Sequence, residues 1–173
     1  CIQSQAKVGG MMKPRIRYVK LNVDATYDMD TLQGSVGAVL RDHNGWFISA
    51  ANEKIDMCFD SFTAEANAIR FGMNLARTVG CSKIDINSDN IEVMEALKDG
   101  NSSLVASAIF DDCYFMSLDF NHIVYDHCNR ESNQVAHELA RLAKFSISGF
   151  WMDDAPSAVI LLLVNDATIL VIE

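Results

Sequence analysis

Three acids, Asp24, Glu65 and Asp89, are the residues of this chain that could do chemistry together. Asp24 closes the stretch Lys20-Leu21-Asn22-Val23-Asp24, in which Leu21 and Val23 alternate with polar residues, the period of a half-buried strand. Glu65 falls in line with Ala68, Ile69 and Gly72, on the face of a helix that should pack. Asp89 follows the strand-like Lys83-Ile84-Asp85-Ile86-Asn87-Ser88 and precedes a helical stretch. In open α/β sheets, sites form outside the carboxyl ends of such strands. Taken singly, each acid has an ordinary explanation: a turn former for Asp24, a favourable charge near a helix start for Glu65, an N-cap for Asp89. Gathered in one pocket they would repel each other unless cations neutralised them. Hard oxygen donors suit Mg²⁺ or Mn²⁺. Two such ions about 4 Å apart can activate a water and stabilise a leaving oxygen in phosphodiester hydrolysis.

Convergence requires the strand of Asp24 to lie beside the strand before Asp89, with the helix of Glu65 laid across them. The periodicities predict elements able to do this. Residues 15–26, 34–42 and 46–51 read as three antiparallel strands, the last two joined at Asn44-Gly45, a strong hairpin pair. Residues 61–79 read as an amphipathic helix, started by Asp60 or Ser61 and stopped by Gly80. A strand over 83–88, a helix over 90–98 stopped by Gly100, a helix over 103–118, a strand over 120–127 and a helix over 130–146 complete the order βββαβα(α)βα. This predicts an α/β fold: a mixed sheet of five strands, three antiparallel and then βα units, covered by helices. Residues 1–14 are expected as a flexible lead-in, 15–147 as one domain, and 148–173 as a tail that packs on the domain or extends it. The tail's apolar run over 158–164 is expected as an extra strand or a cover. It is far short of the ~20 residues a membrane span needs.

The 173 residues are half hydrophobic, enough for a normal core, and carry a formal net charge of −9. That balance argues against a basic nucleic-acid coat protein and against binding to anionic membranes. It leaves room for a nucleic-acid enzyme whose acidic site first takes up cations. The five cysteines are scattered and show no zinc spacing, so free thiols in a reducing, intracellular compartment, nucleus or cytoplasm, are expected. No basic-then-apolar leader is visible, and the start at Cys1 suggests numbering that begins inside a longer product.

The chain resembles the type 1 ribonuclease H superfamily, and within it the plant ribonuclease-H-like domains related to retrotransposon reverse transcriptases. The matching pieces run in the family's order: Lys20-Leu21-Asn22-Val23-Asp24; Gly37-Ala38-Val39-Leu40-Arg41-Asp42-His43-Asn44-Gly45; Ala64-Glu65-Ala66; Ser88-Asp89; and Arg130-Glu131-Ser132-Asn133-Gln134-Val135-Ala136-His137-Glu138-Leu139-Ala140. The resemblance implies a ribonuclease-H-like fold and a metal-dependent endonuclease that cuts the RNA strand of RNA/DNA hybrids. It matches Asp24, Glu65 and Asp89 to the first three catalytic carboxylates. The fourth, an Asp in the family, is His137 here, which implies a two-ion centre of Mg²⁺ or Mn²⁺ whose second ion binds more weakly. Glu138 would point about 100° away along the helix and is a poor substitute.

The resemblance further places His127 at a mobile-loop histidine that assists proton transfer. Asn22, Thr26, Asn90, Arg130 and Asn133 are the residues expected at the nucleic acid. Ala25 stands where the family carries Gly, Asn90 stands where it carries Ser, and no basic helical handle is present. The expected partner is an RNA/DNA hybrid, with no membrane, and the expected state is a monomer. A catalytically weak or inactive nucleic-acid- or protein-binding module of the same fold is the alternative.

Overall fold

The structure is a computed structural model describing residues 17–100, 106–146 and 148–172, with the side chains of 167–172 excepted. The expected lead-in over 1–14 lies outside the described residues. The first strands are β1 (Val19–Asp28), β2 (Gln33–Arg41) and β3 (Phe47–Ile55). Helix α1 (Ser61–Val79) and strand β4 (Lys83–Ser88) follow, then α2 (Ile91–Asp99), α3 (Ser107–Ser117) and β5 (His122–His127). The chain closes with α4 (Gln134–Phe145), β6 (Gly149–Met152) and α5 (Ser157–Ile172). The sheet has six strands in the order β5-β4-β1-β2-β3-β6, with β1 parallel to β4 and antiparallel to β2.

One feature differs from the sequence-based expectation and another resolves it. The sheet has six strands rather than five, because Gly149–Met152 of the tail pairs antiparallel with β3. The apolar run over 158–164, expected as an extra strand or a cover, is helical, within α5, and packs Val159 onto the domain. A helix satisfies its own backbone and needs no sheet edge, and the free edge of β3 is already taken by β6. Among the described residues no helix is long and apolar enough to cross a membrane.

Caps hold the helices in place. Asp60 accepts from the Thr63 amide to start α1, and Gly80, in the left-handed region at φ 86°, ends it. Residues 130–133, expected as the first turn of the last helix, form a 3₁₀ turn instead. There Asn133 leaves helical geometry, with φ −111° and ψ 9°, and its side chain turns into the sheet.

The sheet has two unlike faces. Leu21, Val23, Ile84 and Ile86 are fully buried on one face beneath α1, with Ile69, Met73 and Ala76 of that helix. Each such side chain contributes roughly 1.5–3 kcal/mol by leaving water. On the other face Val39 and Ala50 meet Val135, Ala136 and Leu139 of α4 and Val159 of α5 in a smaller cluster. Much of that second face is polar: Lys20, Asn22, Asp24, Arg41, Asp85 and Asn87 are all buried.

Candidate metal centre

The parallel register of β1 and β4 runs from Val19↔Ile84 to Asn22↔Asn87. Continued by two residues on each chain, it sets Asp24 beside Asp89. Asp89 sits just beyond the last residue of β4, and the N-cap of α2 is Asn90, whose side chain accepts from the Val93 amide. The capping duty thus falls to Asn90 and leaves the Asp89 carboxylate to the cleft. Helix α1 crosses β1 and β2 and brings Glu65 down from above. Ligand oxygens of Asp24, Glu65 and Asp89 all lie within 4.8 Å of one another, and they form the one such acid group among the described residues.

The pocket is electrostatically strained without a cation. Burial first, then the charge of Asp89, pushes the Asp24 carboxyl up to about 6, while the hydrogen bond from His137 pulls the other way. Burial and then the charges of Asp24 and Asp89 push Glu65 up to about 9. The Ala25 backbone amide opposes the rise at both carboxylates. Glu65 Oε2 is buried with no hydrogen-bond partner. An orphaned carboxylate oxygen facing two further carboxylates is what a divalent cation would relieve, and three hard oxygen donors fit Mg²⁺ or Mn²⁺.

Two histidines touch different acids of the group. His137 Nδ1 lies 2.7 Å from Asp24 Oδ2, yet the ring stands outside the acid group of mutual 4.8 Å contacts. His127, at the end of β5, places Nε2 3.2 Å from the Asp89 carbonyl oxygen, at the rim. Arg130 is 89% exposed and points Nε at Asp89 Oδ2 over 3.5 Å.

Four of the five residues expected at a nucleic acid make internal bonds. Asn22 is fully buried and donates to Asn133 Oδ1, and buried Asn133 donates to the Val23 carbonyl. Thr26 Oγ1 bonds Ser35 Oγ, which donates to the Ala140 carbonyl of α4. Asn90 caps α2. Asn22 and Asn133 are buried, while Thr26 and Asn90 are half-buried and keep part of their surface open. Arg130 is the most exposed of the five and stands at the cleft.

One positioning residue was not singled out from the sequence. Gly37 is the register partner of Asp24 across β1 and β2. A Cβ there would lie 2.4 Å from both the Ala136 carbonyl oxygen and the Ala140 amide nitrogen. Gly37 therefore lets the backbone of α4 settle onto the sheet beside Asp24, which is how His137 reaches it. A glycine inside a strand is the usual sign of such close approach, so the small-residue start of β2 did carry the signal.

A separate groove of about 690 Å³ lies beside α1 and α3, lined by Arg70, Phe71, Arg77, Phe115 and others, and shares no residue with the acid group. Its two arginines are paired with Asp112 and Asp119.

Against protein-family models, residues 22–143 match the reverse transcriptase-like family. The chain belongs to that family. No curated protein matches this reverse transcriptase-like chain. Its fold is the ribonuclease H fold. The ribonuclease H1 of Halobacterium salinarum NRC-1 superposes with a TM-score of 0.69 at 19% identity, over 73% of this chain and 97% of that one. LC11-RNase H1, obtained from compost by a metagenomic approach and solved with an RNA/DNA hybrid, gives 0.66 at 16% identity, over 72% and 95%. The foamy viral protease-reverse transcriptase, also in complex with an RNA/DNA hybrid, gives 0.61 at 14% identity, over 85% of this chain and 23% of that one.

Proposed function

We propose that this reverse transcriptase-like protein is a divalent-metal-dependent endonuclease of the ribonuclease H type, acting on the RNA strand of RNA/DNA hybrids. One observation carries the reading: Asp24, Glu65 and Asp89 come from three separate elements and meet within 4.8 Å, with a buried Glu65 oxygen unpartnered. Evenly shared fold likeness to ribonucleases H1, one of them solved on a hybrid, supports the substrate class. Asp24, Glu65 and Asp89 would hold Mg²⁺ or Mn²⁺, which when bound supplies Lewis acidity and a more acidic water.

The chain's own groups supply the rest. His127 stands at the rim beside Asp89, where a proton carrier can meet a departing oxygen. Arg130 projects from the same rim and can take a backbone phosphate. The hybrid would be followed by backbone shape and 2′-hydroxyls rather than by base sequence. The four described cysteines are free thiols, which supports an intracellular setting.

The second reading, a binding module without turnover, draws on the partners already present in the cleft: His137 on Asp24 and Arg130 on Asp89. Labelled RNA/DNA hybrid incubated with Mg²⁺ or Mn²⁺, beside Asp24→Asn, separates the two. The nuclease reading expects cleavage that falls more than ~100-fold in the variant, since even outer groups around a metal are worth about 10–100-fold. Hybrid bound but uncut in both metals would establish the binding module.

A further inference from the structure

We infer that the turn between β1 and β2, together with the segment leading into α1, is a docking surface for a basic amphipathic segment of a partner protein. Such a segment sets lysines or arginines among large apolar residues. The inference is independent of the metal centre and of whether the cleft turns over. Two stretches of like make-up meet there, Asp28-Met29-Asp30 and Asp56-Met57-Cys58-Phe59-Asp60. The Cys58 amide donates to the Leu32 carbonyl at 2.8 Å, and the Tyr27 hydroxyl donates to the Phe59 carbonyl at 2.9 Å. These bonds hold the stretches side by side. Cys58 is buried, whereas Met29, Leu32, Met57 and Phe59 are 76, 42, 68 and 61% exposed. A soluble chain rarely groups large apolar side chains in the open, and such a group marks a binding face.

The backbone adds a second observation. Leu32 sits at φ 54°, in the left-handed region that favours glycine or asparagine. A leucine is strained there, and its side chain still stands partly in water. Strain of this kind collects at functional positions. The turn is held in shape by Asp28 Oδ1, which accepts from the amides of Asp30 and Thr31 at 3.1 and 3.3 Å.

Charge selects the occupant. Asp28 is paired with Lys144 and Asp60 caps α1, so the exposed Asp30 and Asp56 carry the attraction. Aspartates around an apolar patch repel phosphate, which sets aside nucleic acid and anionic lipid. They would also face each other across a two-fold contact, which sets aside a second copy of this chain. A basic amphipathic segment complements both the aspartates and the apolar side chains. Methionines, flexible and polarizable, adapt to such a face. Asp28 lies four residues beyond Asp24 along β1, about 13 Å at a strand's rise, so a docked partner would stand beside the acid cleft.

The probe is a short synthetic helical peptide of leucines and lysines, titrated into the intact protein by fluorescence anisotropy and followed by amide shifts in nuclear magnetic resonance. Shifts are expected over 27–33 and 56–61. Affinity is expected to fall roughly 10-fold in Met57→Gln with Phe59→Ser. Asp30→Asn with Asp56→Asn should weaken binding several-fold and flatten its salt dependence. Leu118→Gln, at a comparably exposed apolar residue beyond α3, should leave it unchanged. No binding, equal binding by a peptide with serines for its leucines, or shifts centred elsewhere would overturn the inference. So would an RNA/DNA hybrid shifting these amides in place of the peptide, or a dimer in sedimentation that the Met57 and Phe59 changes dissolve. The shift map on the wild type decides the matter without any variant.

Discussion

The two faces of the central sheet are built on different terms. Beneath α1 the contacts are apolar and non-directional: Leu21, Val23, Ile84 and Ile86 against Ile69 and Met73. Beneath α4 a smaller apolar cluster is joined by hydrogen bonds from sheet side chains to helix carbonyls: Ser35 to Ala140 and Asn52 to Leu139, with Asn133 of the preceding turn donating back to Val23. Apolar packing supplies much of the stability and tolerates small shifts. Directed bonds fix where a helix sits to within a few tenths of an ångström. The acid group draws on both sides: Asp24 lies on the polar face and Glu65 comes from α1, while α4, which carries His137, is the helix fixed in this second way.

Two of the buried glycines, Gly37 and Gly72, give the sharpest contrast. Gly37→Ala would drive a methyl into backbone atoms at 2.4 Å, which cannot rotate away, and α4 would have to lift. A loss of about 3 kcal/mol or more is expected, together with loss of the His137–Asp24 contact. Gly72→Ala on the apolar face meets only side chains, Val23 Cγ1 at 2.4 Å and Leu21 at 3.1 Å. Roughly 1 kcal/mol gained in helix propensity offsets part of its packing cost, leaving a net loss under about 2 kcal/mol. Urea unfolding of both variants measures the difference, and equal losses would erase the contrast between the faces.

The second expected effect belongs to the acid group, which joins Asp24 of the polar face to Glu65 of α1. Asp24 and Glu65 have folded-state values raised to about 6 and about 9, from ordinary values of 3.8 and 4.5. The folded state therefore holds protons that the unfolded state has released. Stability is fully present below about pH 4 and falls as pH rises, through about 6 for Asp24 and on towards 9 for Glu65. Metal-free protein should lose on the order of a few kcal/mol across that window. Saturating Mg²⁺ or Mn²⁺ should flatten the profile, because a bound cation replaces the protons. Thermal melts from pH 4 to 9, with chelator and with ion, check both statements.

Smaller again is Asn133→Ala, which leaves Asn22 Nδ2 only its longer bond to the Ser132 carbonyl and removes the side-chain donor to the Val23 carbonyl. About 1–3 kcal/mol is expected. Hydrogen exchange at β1 should rise with it, while α1 stays protected.

Local pattern carried much of this architecture. The alternation at Leu21 and Val23, the helical spacing from Ala64 to Ala76 and the stops at Gly80 and Gly100 are all set by near neighbours, and the structure has them. The three acids were legible because each sits at a defined place in such an element. What escaped was long-range. Asn22 and Asn133 look like free polar residues in sequence, and only a contact 111 positions apart makes them a buried pair. β6 is four residues long, too short to announce a period, and α5 is apolar on every side, so helix and strand could not be told apart. The bond from His137 to Asp24, across 113 positions, has no local trace either.

The ion pair between Arg41 of β2 and Asp166 of α5 spans 125 positions, and β6, which precedes α5 in the chain, pairs with β3. During synthesis, then, the outer edge of β3 stays open and the buried Arg41 guanidinium lacks its counter-charge until the ribosome has released nearly all of this stretch. Closure over such separations places the chain among slow, non-local folders, and the nascent protein is most exposed to mispairing in the interval before its final helix arrives.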